Sequence, residues 1–318
     1  MRILCALTLA VCASAWADDY PARAVKVIVP WPPGQATDIA ARIVAQELQQ
    51  SLGRPFVVEN RPGAGGSVGT AAAAKSAPDG YTVLAASSGP ISIMPSLSRL
   101  EYEPMRDFVM IGLISRSPYV LAVRPSFPAA DAAEFVALVR SRPEVHTFAS
   151  SGTGATGHLL LELFNSMTGI HARHVPYKGA APALTDVMNG EVDYVMETVA
   201  AVAPHVRAGR LKALGVSTAR RSVALPQVAS LAEALKLPGY DAGVWIGLAA
   251  PAGIPSDAAA SLSGALQKAL AATRVQDRLR AAGLDPVQSR PEDMPGFLRA
   301  EQERYASVIR TAHITLEP

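Results

Sequence analysis

The sequence is poor in the residues that most often carry chemistry. Its two cysteines, Cys5 and Cys12, both precede Ala17. If that segment is removed, no disulfide framework, thiolate nucleophile or cysteine metal site remains. Aromatic residues are scarce, at 6%, and form no basic stripe of the kind that binds nucleic acid. Positive and negative side chains nearly balance, at a net charge of +2, so the protein as a whole has no polyelectrolyte character. No apolar run after the N-terminal segment is long enough for a membrane span. There is no Ser/Gly linker and no fixed-period repeat. Ser87-Ser88-Gly89 does not form a G-x-S-x-G elbow, and residue order assigns no Ser/His/acid triad.

What is present begins with an export signal. Arg2 is followed by a stretch from Ile3 to Ala13 that is apolar apart from Thr8, then Ala15-Trp16-Ala17 and Asp18-Asp19. A charged start, a short apolar stretch and an A-x-A exit predict a signal peptide over residues 1–17, cleaved after Ala17. The expected location is periplasmic. Val11 stands before Cys12 where a lipoprotein site wants a small residue.

The remaining chain alternates strands with helices. Lys26–Pro30 reads as a buried strand, and Trp31-Pro32-Pro33-Gly34-Gln35 as a stiff loop. Thr37 or Asp38 is the expected cap of a helix whose apolar positions Ile39, Ile43, Val44, Leu48 and Leu52 recur at helical spacing before Gly53. The same pattern recurs with strands at Phe56–Val58, Tyr81–Ala86, Tyr119–Val123, Thr147–Ser150, Arg173–Pro176, Val192–Met196, Leu211–Val216 and Val244–Ala249. Helices are expected over Ala132–Val139, Gly157–Met167, Ala181–Met188, Asp257–Ala271 and Met294–Thr311, with capping boxes at Ser230–Glu233 and Thr273–Gln276. This is an α/β pattern of mostly parallel sheets flanked by helices. Its length predicts two lobes. Segments near Ile111–Val123 and Leu211–Thr218 are the expected crossings. Lobe 1 then takes residues 18–115 and 218–318, and lobe 2 takes 116–217.

Gly152-Thr153-Gly154-Ala155-Thr156-Gly157 follows a strand and opens a helix, as a dinucleotide fingerprint would. The acidic ribose partner is missing, since Ile170-His171-Ala172-Arg173-His174 occupies its place. The same geometry suits a smaller anion. Free N–H groups at a helix start, with the hydroxyls of Ser151, Thr153 and Thr156, favour a carboxylate. The alternative is a tight turn without a ligand. The first loop offers Trp31 as a flat wall, Gly34 for close approach and Gln35 as a two-way hydrogen-bonding group. For Trp31 the alternative is core packing, and for Asp38 plain helix capping. Ser87 and Ser88 end a third strand on the same side, where ligands of α/β sheets bind. His171 and His174 read as surface or edge residues, not metal ligands. Asp193 and Glu197 straddle a strand, either as an acid/base pair or for structural reasons. Glu197 could also meet a ligand's amino group or a water.

Taken in order, several strings resemble a known family. They are Pro30-Trp31-Pro32-Pro33-Gly34 with Thr37-Asp38, Val58-Glu59-Asn60-Arg61-Pro62-Gly63-Ala64-Gly65-Gly66, and Ala77-Pro78-Asp79-Gly80-Tyr81-Thr82. Ser151-Gly152-Thr153-Gly154 with His158-Leu159 follows, then Val175-Pro176-Tyr177-Lys178-Gly179 and Gly190-Glu191-Val192-Asp193. Ala208–Leu214 and Ala250–Pro255 complete the set. The resemblance is to the solute receptors of tripartite tricarboxylate transporters, also called Bug receptors. It implies a two-lobed type II periplasmic binding protein, a Venus flytrap. The implied ligand is a small carboxylate, met through water and backbone groups of the loops Trp31–Asp38 and Ser151–Thr156. Many members have a glycine where this chain has Gln35 and an aspartate where it has Glu197. The expected ligand-binding residues are Trp31, Gly34, Gln35, Asp38, Ser87, Ser88, Ser151, Gly152, Thr153, Gly154, Thr156, Tyr177 and Glu197. No catalytic residue, metal or cofactor is expected. The expected role is capture and delivery to a membrane permease by a monomer. The alternatives are a sensing subunit for a membrane kinase and an enzyme acting on a carboxylate.

Overall fold

A computed structural model describes residues 20–238, 240–311 and 314–315. The expected leader and its cleavage point lie outside the described residues. The chain begins with β1 (Val25–Val29), α1 (Ala36–Leu52), β2 (Phe56–Asn60), α2 (Ser67–Ala74) and β3 (Thr82–Ser87). A short helix α3 (Pro104–Asp107) leads into β4 (Phe108–Val123), a strand of 16 residues. Next come α4 (Ala132–Arg140), β5 (Thr147–Ser150), α5 (Thr156–Thr168), β6 (Arg173–Pro176), α6 (Ala180–Asn189) and β7 (Tyr194–Thr198). Then α7 (Val199–Arg207), β8 (Lys212–Val216) and α8 (Leu231–Leu235) precede β9 (Gly243–Pro251). The chain ends with α9 (Ser256–Ala271), α10 (Thr273–Ala281), β10 (Asp285–Pro286) and α11 (Met294–Thr311).

Two parallel wings flank an antiparallel centre. β1 pairs in parallel with β2 and β3, and β5 in parallel with β6 and β7. Each wing is built of strand–helix–strand units, which force parallel pairing. β4 joins them. Its residues Phe108–Pro118 pair with β9, while Tyr119–Val123 pair with β7 and Val120–Val123 with β8. The expected strand Tyr119–Val123 is therefore only the second half of a longer crossing strand. Ser217 holds the second crossing. Its hydroxyl accepts from the Tyr119 N–H at 2.9 Å and donates to the Ala242 carbonyl at 2.6 Å. Together the wings and crossing strands make a two-lobed α/β fold.

The strands bury side chains on both faces, so they read as apolar runs and not as alternation. The largest apolar cluster is continuous across the join, from Val27, Val44 and Leu48 to Phe135, Phe148 and Phe164. Each such large side chain contributes about 1.5–3 kcal/mol on burial. Separate clusters cover the outer faces, around Val187 and Val202 in one lobe and Leu84 and Trp245 in the other.

Several helix starts differ from expectation. α1 begins at Ala36 with Gln35 as its cap residue, so Thr37 and Asp38 lie inside the first turn. Ser230 does cap α8, accepting from the Ala232 N–H at 3.2 Å, but Glu233 turns to Arg221 and does not close a box. Thr273 is the first residue of α10, with extended Ala272 before it and no side-chain cap. Among the described residues no helix is long and apolar enough to cross a membrane.

Candidate functional site

Three strand ends, those of β1, β3 and β5, meet where the two lobes face one another. The loop after β1 is assembled first. Trp31 lies flat in it, with its indole N–H donated to Ser87 Oγ at 2.9 Å. Gly89 makes room for that ring, because a Cβ there would stand 2.9 Å from Trp31 Cζ2. Asp38 is buried and fully engaged. Its carboxylate accepts from the Gly34 N–H at 2.9 Å, the Arg42 guanidinium at 3.0 Å and the Asn60 amide at 2.8 Å. Burial opposes its charge, but the bonds from Arg42, Gly34 and Asn60 outweigh that and hold its pKa below the usual value. Asn60 also donates to the Trp31 carbonyl at 2.9 Å. Asp38 thus braces the loop and has no oxygen left for a guest. Ser88 Oγ accepts from the Trp245 N–H at 2.9 Å, which ties β3 to β9.

The loop after β5 is arranged differently. The Gly154 N–H donates to His158 Nδ1 at 3.2 Å, and the Ala155 N–H to the Gly152 carbonyl at 3.1 Å. The Gly154 N–H is therefore spent inside the loop and is not among the free donors expected at the helix start. Further along, the N–H groups of Thr156 and Gly157 head α5 with no acceptor among the described residues. These are the donors a helix start offers to an anion. Thr156 is buried, Ser151 and Gly152 are half-buried, and Thr153 faces solvent.

Behind this loop lies a stack that residue order did not reveal. The His158 and His174 rings are parallel, with centroids 3.9 Å apart, and Phe148 lies 4.9 Å from His174. His174 Nε2 meets Ser150 Oγ at 2.6 Å. His174 is thus part of the loop's support and not a plain edge residue, whereas His171 is exposed. Burial lowers both imidazole pKa values, to about 3 for His158, with His174 adding to the effect, and to about 4 for His174. Both rings are neutral at pH 7, which suits His158 Nδ1 as an acceptor.

Glu197 is the last residue but one of β7, opposite Val120 of β4, and is 2% exposed. Its Oε1 accepts from the Thr198 N–H at 2.8 Å, while Oε2 has no partner. Burial raises its pKa, only partly offset by the Thr198 N–H bond and by the Ser151 and Thr198 hydroxyls, which lie nearby without meeting hydrogen-bond geometry. Asp193 lies at the other end of the strand, about 13 Å away at 3.3 Å per residue. It bonds Arg124, His146 and the Thr147 N–H, so the two acids do not form a pair. Tyr177 is turned away, its hydroxyl donated to Asp186 at 2.6 Å, and only its backbone lies beside Gly152.

The two sides are in contact. A Cβ on Gly65 would stand 3.5 Å from the Gly154 carbonyl, and one on Gly179 would stand 3.0 Å from Pro32 and 3.6 Å from Gln35 Nε2. Gln35 Nε2, Glu197 Oε2 and Thr198 Oγ1 are buried around this closed cleft with no hydrogen-bond partner. A crevice of about 610 Å³ lies elsewhere, behind the crossing strands, lined by Arg116, Pro118, Thr218, Arg220 and Trp245. Two unpartnered atoms, Trp245 Nε1 and Arg304 Nε, belong to residues lining that crevice as well. The cleft is favoured because it adds the unpartnered N–H groups at the start of α5, which suit an anion, to polar atoms contributed by both lobes. Of the expected residues, the cleft gathers Trp31, Gly34, Gln35, Ser87, Ser151, Gly152, Gly154, Thr156 and Glu197. Thr198, Asn60, Gly65 and His158 were not foreseen. Among the described residues no group of three or more His, Cys, Asp or Glu is placed to hold a metal ion.

Known proteins share this fold. The profile described as "Tripartite tricarboxylate transporter family receptor" matches residues 40–314. Protein BugT of Bordetella pertussis is 39% identical over 308 residues, which is 95% of this chain and 93% of that protein. Rpa4515 of R. palustris, solved with adipate, superposes with a TM-score of 0.90 at 35% identity, covering 93% of this chain and 99% of that one. MatC (Rpa3494) of Rhodopseudomonas palustris, solved with bound malate, gives a TM-score of 0.85 at 32% identity, covering 91% and 100%.

Proposed function

Since this chain belongs to the family of tripartite tricarboxylate transporter receptors, we propose that it captures a small carboxylate between its lobes and delivers it to a membrane permease. The observation that carries the reading is the closed cleft with orphaned polar atoms, headed by the free N–H groups of α5. A carboxylate seated there takes the N–H groups of Thr156 and Gly157 from one lobe and the Gln35 amide from the other. Relatives solved with adipate and malate support this ligand class. A ligand touching both lobes favours their closure, with bending at Pro118–Tyr119 of β4 and at Ser217. The lobe boundaries near residues 116 and 218 follow from that hinge, and the proposal also includes export with cleavage after Ala17, from the A-x-A string, and action as a monomer. An acid/base mechanism has no support in the site, since Asp38 and Asp193 are each held by three groups.

A thermal-shift panel tests the proposal. It holds adipate, malate, succinate, citrate and benzoate, the dimethyl ester of adipate, and glucose. At about 100 times its dissociation constant a true ligand adds roughly 2.7 kcal/mol of stability, which raises the melting temperature visibly. At least one carboxylate should do so, and its ester should do much less. A shift with glucose while every carboxylate fails would overturn the carboxylate reading.

A further inference from the structure

The cleft holds one carboxyl group of its own where an anion is to be bound. Glu197 is buried at the end of β7, beside the loop that follows β5. Among the described residues no Lys, Arg or His lies within ion-pair distance of it. Its Oε1 is satisfied by the Thr198 N–H and its Oε2 by nothing. An ionised Glu197 would place a second negative charge in a dry cleft beside the ligand's own, with no cation to offset either. Two carboxylates at one site do not both stay ionised, and one keeps a proton. The ligand's carboxylate sits at the N–H groups of α5, which stabilise its charge. The proton therefore belongs on Glu197.

We propose that Glu197 is a specificity-determining residue that, as a neutral carboxylic acid, donates a hydrogen bond from Oε2 to a carboxylate of the bound ligand. This inference rests on the carboxylate reading of the cleft and adds a condition to it: between the free and the bound pKa of Glu197, each capture event takes up a proton. The groups facing Glu197 fit this role. From the loop after β5 comes the Ser151 hydroxyl, and from its own strand end the Thr198 hydroxyl. From β4 comes Tyr119, itself pushed far above its ordinary pKa by burial and by the nearby Glu197. Tyr305 of α11 lies beyond Tyr119 and stays neutral with its pKa pushed up to about 12 by burial. No surrounding group supplies a charge that competes for the proton. Burial raises the Glu197 pKa, and a bound anion raises it further. The sign follows. Affinity is full at low pH, falls as pH rises from the free toward the bound pKa of Glu197, and levels off above the bound value.

Isothermal titration decides the matter. Wild type, Glu197→Gln and Glu197→Ala are titrated with succinate, malate, adipate and glutamate from pH 6.5 to 8.5, where the acids themselves are fully ionised, in buffers of different ionisation heat. For a dicarboxylate bound by wild type, the heats should show proton uptake approaching one, and affinity should fall with rising pH by up to about tenfold per unit. Glu197→Gln keeps a donor at this position. It should bind the same acid with no proton uptake and an affinity flat with pH. Glu197→Ala should bind it about tenfold or more weakly. Circular dichroism checks that both variants are folded. Binding of a dicarboxylate by wild type without proton uptake at any pH of the series, and with undiminished affinity in Glu197→Ala, overturns this inference and leaves the carboxylate reading standing. Glutamate as the preferred ligand, lost in Glu197→Gln, overturns it in favour of an ionised Glu197 that accepts from an ammonium group. Failure of every acid to bind wild type sinks the carboxylate reading and this inference with it.

Discussion

The loops after β1 and β5 occupy equivalent places in the two lobes, yet they use their polar groups in opposite ways. The β1 loop consumes all but the Gln35 amide internally. Asp38 ties Gly34, Arg42 and Asn60 together, and the Trp31 indole is held by Ser87. The β5 loop keeps the first N–H groups of α5 and the Oε2 of nearby Glu197 unpartnered, and it stands on a stack of neutral aromatic rings. One lobe thus presents a stiff wall with a single waiting amide, Gln35, and the other holds most of the groups that wait for a guest. Such a division lets most of the recognition be set by one lobe before the cleft shuts. Preorganised groups lose less freedom on binding, so they hold a ligand more tightly for the same contacts.

The stack should be the more fragile of the two supports. Phe148 is fully buried, stacked 4.9 Å from His174 and 6.2 Å from His158. Phe148→Ala removes the floor of the β5 loop and leaves a cavity. A loss of about 3–5 kcal/mol in unfolding free energy is expected by urea titration. A loss under about 1 kcal/mol would show that the loop does not depend on the stack.

Acid should reach the same support next. His158 keeps a folded-state pKa of about 3 against its ordinary 6.5, because burial and the neighbouring His174 disfavour its charge. The unfolded chain binds a proton there first as pH falls. Stability is therefore fully present above pH 6.5 and is lost between pH 6.5 and about 3. At one unit per 1.36 kcal/mol, the loss from His158 is about 2–3 kcal/mol by pH 4.5. His174, lowered to about 4 by burial, adds a smaller share, because it is half-exposed. Buried Glu197, whose pKa is raised, acts in the opposite direction. The comparison of wild type with His158→Gln separates the contributions. The variant should lose clearly less between pH 7.5 and 4.5, and equal losses would remove His158 from the account.

The two loops were not equally legible. Gly34, Gly152 and Gly154 each punctuate a strand-to-helix turn, so proline and glycine marked both loops without further information. Helix spans followed from apolar spacing, and α11 matches its expected span of Met294–Thr311. What failed were features that depend on partners far along the chain. His174 looked like an edge residue because only the parallel pairing of β5 with β6, Ser150 opposite Pro176, brings it against Phe148 and Ser150. Thr198 and Tyr119 join the cleft through the antiparallel β4–β7 pair. α7 was missed because Pro204 lies within it and reads as a breaker. The cap expected at Thr273 failed because the residue before it, Ala272, is the one with extended dihedrals. A short polar string does not determine where the backbone turns.

The smallest effect should fall on the stiff wall, and it separates bracing from binding. Asp38→Asn keeps the size of the side chain and one acceptor oxygen but removes the charge that Arg42 and Asn60 address. The Asp38 side chain is 4% exposed and that of Arg42 is 50% exposed, so solvent screens the pair and the expected loss is about 1 kcal/mol at pH 7. The pH dependence has a definite sign. The folded-state pKa lies below the ordinary 3.8, so this stability is present above pH 4 and disappears as pH falls through the folded value. Wild type and variant should therefore differ at pH 7 and converge at the acid end of a urea series. Affinity for a carboxylate should stay within about twofold of wild type, because no oxygen of Asp38 is free to touch a ligand. A variant that keeps its stability but loses binding would place Asp38 among the ligand's own contacts, and the division between the two loops would fail.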